Sequence, residues 1–306
     1  MWFLFLVSAN AQSSIESTEE GSPLLAECVA SEDCGAYIAT QLSEILVEAG
    51  FALASSPVLT SALGGRGNGL VAELHVDTLA LGRGNDLSEE ITLPPAMPTI
   101  AVGYHVGSYT YDDPYPQYTV GAHLLPPLSF GDSTVFVVGG TASAAWPIVE
   151  QLWVGAEATY SYGRVRAPLV GPPDELKDIE ELRPYVRGLD LDCDPCMDVT
   201  QQHSATGRVG LSVEPVPAWF LYARGGIWGM AQRLSLDVDG SEWTLGGVLP
   251  TAGFGTGVRL ADRMQLAAGA EHARKSAAVT TERRGMWKAL FTMGFRFGDA
   301  RYREGD

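Results

Sequence analysis

Hydrophobic and polar residues alternate along most of this chain, from about Gly69 to Phe297. A period of two places successive side chains on opposite faces of a β-strand. The last such stretch is the clearest, because one of its faces is wholly apolar and the other carries Lys288 and Arg296. This predicts a strand with one face in an apolar medium. Its apolar face consists of Trp287, Ala289, Phe291, Met293, Phe295 and Phe297.

The same alternation predicts further strands, and charged side chains consistently fall on the less apolar face. In the N-terminal half the pattern is weaker, and Pro126-Pro127 interrupts one strand. We predict ten antiparallel strands, with eight and twelve as alternatives. The stretches are 69–82, 97–110, 117–129, 133–146, 152–162, 205–214, 221–228, 253–260, 264–271 and 287–297.

The connections between these strands are of two kinds that alternate along the chain. Short turns are predicted at 146–149, 215–217 and 261–263. Longer or more polar loops are predicted between them. Short turns on one side and long loops on the other are typical of barrels threaded through a membrane. The predicted fold is therefore all-β, a closed antiparallel transmembrane β-barrel with one short N-terminal helix. The predicted loops are 166–202, 236–243 and 278–285.

Composition supports membrane strands and argues against a nucleic-acid partner. Charged residues are 19% of the chain, below the roughly 25% of an average globular protein. No apolar run reaches the roughly 20 residues that a spanning helix needs. The net charge is -17, with only 20 Lys and Arg residues and no basic stripe. Binding to the phosphates of nucleic acid is therefore not expected.

The chain ends its last strand with Phe295-Arg296-Phe297, which is similar to the aromatic-x-aromatic terminus recognised by the barrel-assembly machinery. With the alternation and the turn asymmetry, residues 69–297 resemble a small porin-like outer-membrane β-barrel of Gram-negative bacteria. The resemblance implies the bacterial outer membrane as location, with its lipids and the assembly machinery as partners. Such families include pores, surface anchors, adhesins and a few lipid-modifying enzymes, so the fold alone assigns no activity. The expected lipid-facing residues are Trp287, Phe291, Phe295 and Phe297.

The N-terminal part has a different organisation. Residues 1–11 end in Ala9-Asn10-Ala11 and are interpreted as the end of a secretory signal peptide. Residues 12–68 form a periplasmic or plug segment with a helix over 31–49, whose apolar stripe stops at Gly50. That stripe must be buried, either at a periplasmic end of the barrel or inside its lumen. Residues 298–306 are a polar tail.

Four cysteines occur as two close pairs, Cys28 with Cys34 and Cys193 with Cys196. In an exported protein such pairs favour two local disulfides. The second pair lies in an acidic loop, for which a Ca²⁺ site and zinc or redox chemistry are the less favoured interpretations. We predict no metal site and no cofactor.

Two further motifs invite a chemical interpretation. The glycine-rich stretch 64–69 lacks the Lys-Ser/Thr ending of a phosphate loop, so a flexible entry to the first strand is favoured. Glu73, His75 and Asp77 share one face of that strand, as a catalytic or metal trio would. A polar barrel lumen accounts for them without catalysis.

The residues expected to determine function are Glu157, Arg208, Arg224 and Glu271, all facing inward at similar depth. Three of them lie on consecutive strands, so charge-assisted bonds across the lumen are expected. Such a layer narrows the lumen. The predicted function is a non-enzymatic structural or surface protein, or a narrow channel with a charge-bridged lumen. The alternatives are a soluble secreted barrel binding an apolar ligand, with its faces reversed, and a lipid-modifying barrel enzyme.

Overall fold

The computed structural model describes the barrel and part of the chain that precedes it. Several predicted features lie outside the described residues: the predicted signal peptide, residues 12–46 with nearly all of the predicted helix, the four cysteines and the C-terminal tail. Those described are Val47, Gly50, Phe51, Leu53, Ala54 and the ranges 56–80, 96–107, 114–130, 133–168, 197–236, 242–260, 263–274 and 285–297.

Ten antiparallel strands form one closed barrel, as the alternation predicted. Each strand pairs with its neighbours in sequence, and the first pairs with the last, with Leu70 opposite Phe297. The third strand shifts register between Leu125 and Leu128, at Pro126-Pro127, because proline cannot donate to the ladder. The strands are β1 Gly69–Ala80, β2 Ala96–Val106, β3 Gln117–Phe130, β4 Ser133–Val149, β5 Leu152–Pro168, β6 Met197–Val216, β7 Trp219–Leu236, β8 Glu242–Leu260, β9 Met264–Arg274 and β10 Gly285–Phe297.

The outer face of the barrel is apolar, and its polar and charged side chains point inward. Phe291 is 60% exposed on the outside of β10, whereas its neighbours Leu290 and Thr292 are buried. The alternative of a soluble barrel with Phe291 and Phe295 inside is therefore wrong. An apolar outer face is stable only against an apolar medium, since exposing it to water would cost the free energy of hydrating that area.

Two of the short connections begin later than predicted, by four and by two residues. Residues 146–149 belong to β4 and Val216 to β6, so the turns are 150–151 and 217–218. Register shifts at Pro147/Val149 and Val213/Val216 carry each strand through its proline. We call the end of the barrel with 107–116, 150–151, 217–218 and 261–263 the turn end. The opposite end, with 81–95, 131–132, 169–196, 237–241 and 275–284, is the loop end.

The lumen contains the chain that leads into β1. The described residues from Val47 to Gly67, which we call the lumen segment, are all buried. Backbone at Val47, Gly50, Phe51 and Leu53 is helical, so helical structure continues past the predicted stop at Gly50. No described helix has the length and apolar character required to cross a membrane.

Candidate functional site

The lumen segment runs from the loop end of the barrel towards the turn end. Its contacts with β6 show this direction, because successive residues of the segment contact successive residues of β6 from the loop end to the turn end. Gln202 donates to the Gly50 carbonyl at 2.8 Å, and Arg208 donates to Ser56 Oγ at 2.8 Å. Further down, Leu63 packs on Gly210, and Arg66 forms an ion pair with Glu214 at 3.0 Å. Contacts with β6 therefore extend from near its loop end to within two residues of its turn end.

Glycines allow this close approach. A β-carbon on Gly210 or on Gly155 of β5 would lie 2.8 Å from the Leu63 side chain, closer than nonbonded carbons approach. A β-carbon on Gly50 would lie 3.0 Å from Gln202 Oε1. Gly50 is therefore a point of contact with the wall and not the end of the helix, which explains why the predicted stop was wrong.

Apolar side chains of the lumen segment reach both sides of the barrel. Phe51 meets Trp228 with ring centroids 5.4 Å apart, in a buried cluster that includes residues of β7, β8, β9 and β10. Leu53 belongs to a second cluster formed by β2, β3, β4 and β5. Lower down, Leu59 packs in a cluster with β1, β7 and β9, while Ala62 packs with Trp153 of β5. The segment thus spans the lumen at two levels.

The four charged residues predicted to share a layer come together inside the lumen. Arg208 Nη1 lies 2.8 Å from Glu157 Oε1, and Arg208 Nη2 lies 2.8 Å from Glu271 Oε1. Arg224 lies farther from the same carboxylates, at 3.8 Å and 3.5 Å. Because Glu157 is on β5 and Glu271 is on β9, Arg208 connects two separated strands. All four side chains are buried.

Ser56 connects this charged layer to the lumen segment. Its hydroxyl donates to Glu271 Oε2 at 2.6 Å and accepts from Arg208 Nη2. It also accepts from Lys288 Nζ at 2.9 Å, and the same ammonium donates to the Ala54 carbonyl at 2.6 Å. Lys288 and Glu271 lie 3.6 Å apart. The inward position of Lys288 follows from strand alternation, but nothing in the sequence pointed to Ser56.

Glu73, predicted as part of a trio on β1, binds the backbone of the lumen segment. Its carboxylate accepts the N–H groups of Val58 at 3.0 Å and Thr60 at 2.7 Å. This satisfies two buried donors that the irregular segment cannot pair internally. His75 of the trio lies 2.7 Å from Asp77 and 3.0 Å from Thr292, within the wall. The trio is therefore part of the packed lumen.

The glycine-rich entry to β1 is packed against the barrel wall. Arg66 is buried within it and lies 4.1 Å from the centre of the Trp153 ring, besides its ion pair with Glu214. Glu214 also pairs with Arg259 at 3.1 Å. The predicted flexible entry is therefore wrong, because a buried cation, a carboxylate and an aromatic ring fix this stretch.

The remaining predictions concern the disulfides, metal binding and the lipid-facing residues. The disulfide candidates Cys28, Cys34, Cys193 and Cys196 lie outside the described residues. Within the described ranges, no three His, Cys, Asp or Glu side chains are grouped to hold a metal ion. The predicted lipid-facing residues all point outward, with exposures of 46% for Trp287, 60% for Phe291, 43% for Phe295 and 57% for Phe297.

Aromatic side chains lie near both ends of the outer face. Tyr118 and Trp146 meet edge to face near the turn end, at 6.4 Å. Trp287 stacks near His272 at 4.6 Å towards the loop end. A closed barrel with an apolar band between aromatic girdles is the architecture of bacterial outer-membrane proteins. This chain is a bacterial outer-membrane β-barrel.

Comparison with known proteins places this outer-membrane barrel among distant structural relatives only. No protein-family model matches it, and no curated protein matches it. The toluene transporter TbuX of Ralstonia pickettii is similar at 12% identity and a TM-score of 0.37, over 81% of this chain and 94% of that chain. The translocator domain of autotransporter NalP from Neisseria meningitidis is similar at 11% identity and 0.43, over 85% and 98%.

The N-terminal β-barrel domain of Pseudomonas aeruginosa OprF is also similar, at 10% identity and a TM-score of 0.28, over 76% of this chain and 98% of that chain. Identities at this level assign no activity to the outer-membrane barrel, because one architecture serves many functions. Its function has to be inferred from the residues in its own lumen.

Proposed function

We propose that this chain is a non-enzymatic outer-membrane barrel, a structural or surface protein whose lumen is kept closed by its own lumen segment. It becomes a narrow channel when the segment is displaced. The observation that carries the proposal is the contact of one segment with both sides of the barrel at two levels. A lumen of about eight to ten strands has little interior left once side chains fill it.

The charged layer supports closure at the depth of Ser56. Arg208 connects Glu157 and Glu271 across the interior, and each of its outer nitrogens lies 2.8 Å from a carboxylate. Charged side chains that form ion pairs across the interior fill it and do not line an open passage. The segment contributes Ser56 to this layer, since its hydroxyl bonds to Glu271 and Arg208 and its carbonyl accepts from Arg224. Withdrawing the segment would break these hydrogen bonds to charged groups, which supports the closed arrangement.

The test is planar-bilayer conductance with reversal potentials under a salt gradient. Wild type should show no steady conductance. The double variant Arg208→Ala, Arg224→Ala removes two bulky cations and leaves Glu157 and Glu271 with an excess of negative charge. It should conduct, with a preference for cations. A milder variant, Arg208→Lys, keeps the charge but loses the planar group that reaches two carboxylates, and it should open only transiently.

Arg164→Ala is the matched control, because Arg164 lies on the exposed face of β5 and has no part in the lumen layer. It should behave as wild type. Heat-modifiable gel migration establishes that each variant is folded before conductance is measured. A large and stable pore in wild type, or a folded double variant as silent as wild type, would contradict the proposed closure.

A further inference from the structure

The direction of the lumen segment bears on the location of the chain that precedes it. Val47, Phe51 and Ala54 pack with Trp228, Met230, Leu249 and Met286, while Arg66 packs at the turn end with Glu214. The N–H of Gly67 then donates to Oε1 of Gln117, the first residue of β3, at 3.1 Å. The chain therefore descends through the lumen once before it enters β1.

A second passage of the chain through the lumen has no room. At the level of Phe51 and Leu53 the segment already packs against β2–β5 on one side and β7–β10 on the other. At the level of Ser56, four strands direct charged side chains onto it. At the level of Leu59 and Ala62 the contacts again reach both sides. A return of the chain to the turn end would need space in the lumen for a second segment of the same width. These side chains already occupy that space.

The two ends of the barrel face different compartments. At the turn end, 150–151, 217–218 and 261–263 have two or three residues and 107–116 has ten. At the loop end, 131–132 and 237–241 are short, whereas 81–95, 169–196 and 275–284 have 10 to 28 residues, so the connections are longer there as a group. In outer-membrane barrels the short turns are periplasmic and the long loops extracellular. The first strand starts and the last strand ends at the turn end, as an even number of antiparallel strands requires. The loop end is therefore the cell-surface end.

We propose that the chain preceding Val47 leaves the lumen at the loop end, so that residues 12–46 are displayed on the outer surface of the cell. The barrel then carries its own N-terminal segment across the membrane that it spans. This proposal goes beyond the closed lumen, because a closed barrel is compatible with an N-terminal segment on either side.

The test is the accessibility of an epitope tag inserted between Gly21 and Ser22 of the full chain. Intact cells should bind an antibody to this tag as strongly as cells with the tag inserted after Asp239, in the connection at the loop end. The same tag inserted after Asp262, at the turn end, should be bound only after the outer membrane is permeabilised. Heat-modifiable migration establishes that each tagged barrel is folded.

Binding to the Gly21 tag only after permeabilisation would overturn the proposal. If the insertion prevents export, the untagged protein allows the same decision. Protease added to intact cells, followed by mass spectrometry of the barrel, should find cleavage within residues 12–46. An N-terminus that is cut in permeabilised cells but unchanged in intact cells would overturn the proposal equally. Neither result depends on whether the lumen conducts, so failure here is distinguishable from failure of the proposed closure.

Discussion

At the scale of single residues, Ser56 shows how a neutral side chain organises several buried charges. A serine hydroxyl has one hydrogen to donate and two lone pairs that accept. Ser56 uses all three, donating to Glu271 and accepting from Arg208 and Lys288. The lumen segment is thereby held by charged groups of three strands through one small side chain.

We expect Ser56→Ala to destabilise the barrel by about 1–3 kcal/mol, because it removes one hydrogen bond from each of three buried charged groups. The free energy of unfolding is measured by urea titration of the protein in lipid vesicles, with the folded form quantified by heat-modifiable migration. Ser129→Ala, at an exposed position of β3, is the control and should change the free energy little. Equal stability of the two variants would contradict the role given to Ser56.

The pairing of Glu157 with Arg208 could be predicted from the sequence, whereas the role of Ser56 could not. Glu157 and Arg208 are direct partners in the register of β5 and β6. Each lies a similar number of residues from its nearest short turn, and this spacing predicted that the two side chains are neighbours. Ser56 contacts Arg208 and Glu271 at separations of 152 and 215 positions. It lies in a stretch without periodicity, and no local pattern encodes which side chains an irregular segment meets.

At the scale of elements, lipid makes strands predictable and leaves the lumen segment unpredictable. Each strand contacts an apolar medium on one side, so alternation is enforced along its length, and ten strands could be counted. The apolar stripe of the helix predicted over 31–49 required burial, but several apolar surfaces satisfy that requirement. Only the structure brings Phe51 against Trp228 inside the lumen. The glycine at position 50 was misinterpreted because its close contacts are with distant strands.

We expect Phe291→Arg to lower the stability of the inserted barrel by about 2–4 kcal/mol, the cost of a cation on the lipid face near the membrane midplane. Phe291 lies in the middle of β10 and is its most exposed side chain. Phe295→Arg, nearer the end of the strand, should cost less, because the penalty falls towards the interface. Folded protein is measured by heat-modifiable migration of purified outer membranes and by urea titration.

Phe291→Leu is the control for this depth dependence, since it keeps an apolar side chain towards lipid. It should fold to wild-type levels. A cost that is the same at both positions, or a greater cost at Phe295, would mean that the outer face does not meet the membrane as its exposure indicates.

At the scale of the whole molecule, the pairing of the four cysteines decides which parts of the chain are crosslinked. We predict that Cys28 pairs with Cys34 and Cys193 with Cys196 in the mature protein, because each pair is close in sequence and the protein is exported. Alkylation of the denatured, unreduced protein should modify no thiol, and alkylation after reduction should modify four. Mass spectrometry of unreduced peptides identifies the partners.

Local pairs would leave the lumen segment uncrosslinked to the barrel wall, so reduction should not open the lumen. Conductance of wild type is therefore expected to stay silent with and without a reducing agent. A disulfide that joins Cys28 or Cys34 to Cys193 or Cys196 would contradict this prediction, and so would free thiols or a metal bound at Cys193.

The direct connection between the lumen segment and β1 has a consequence for folding. Closure of the barrel pairs Leu70 with Phe297, so it joins the two ends of the barrel sequence, and such non-local contacts form slowly. Arg208 and Lys288 can meet Glu157 and Glu271 on the neighbouring strands before closure, because these residues are direct partners in register. The contact of Arg208 with Glu271 and the contacts of both with Ser56 form only when the sheet curls around the segment. We therefore expect the sheet to roll up around its own leading segment, as soluble domains fold around a core.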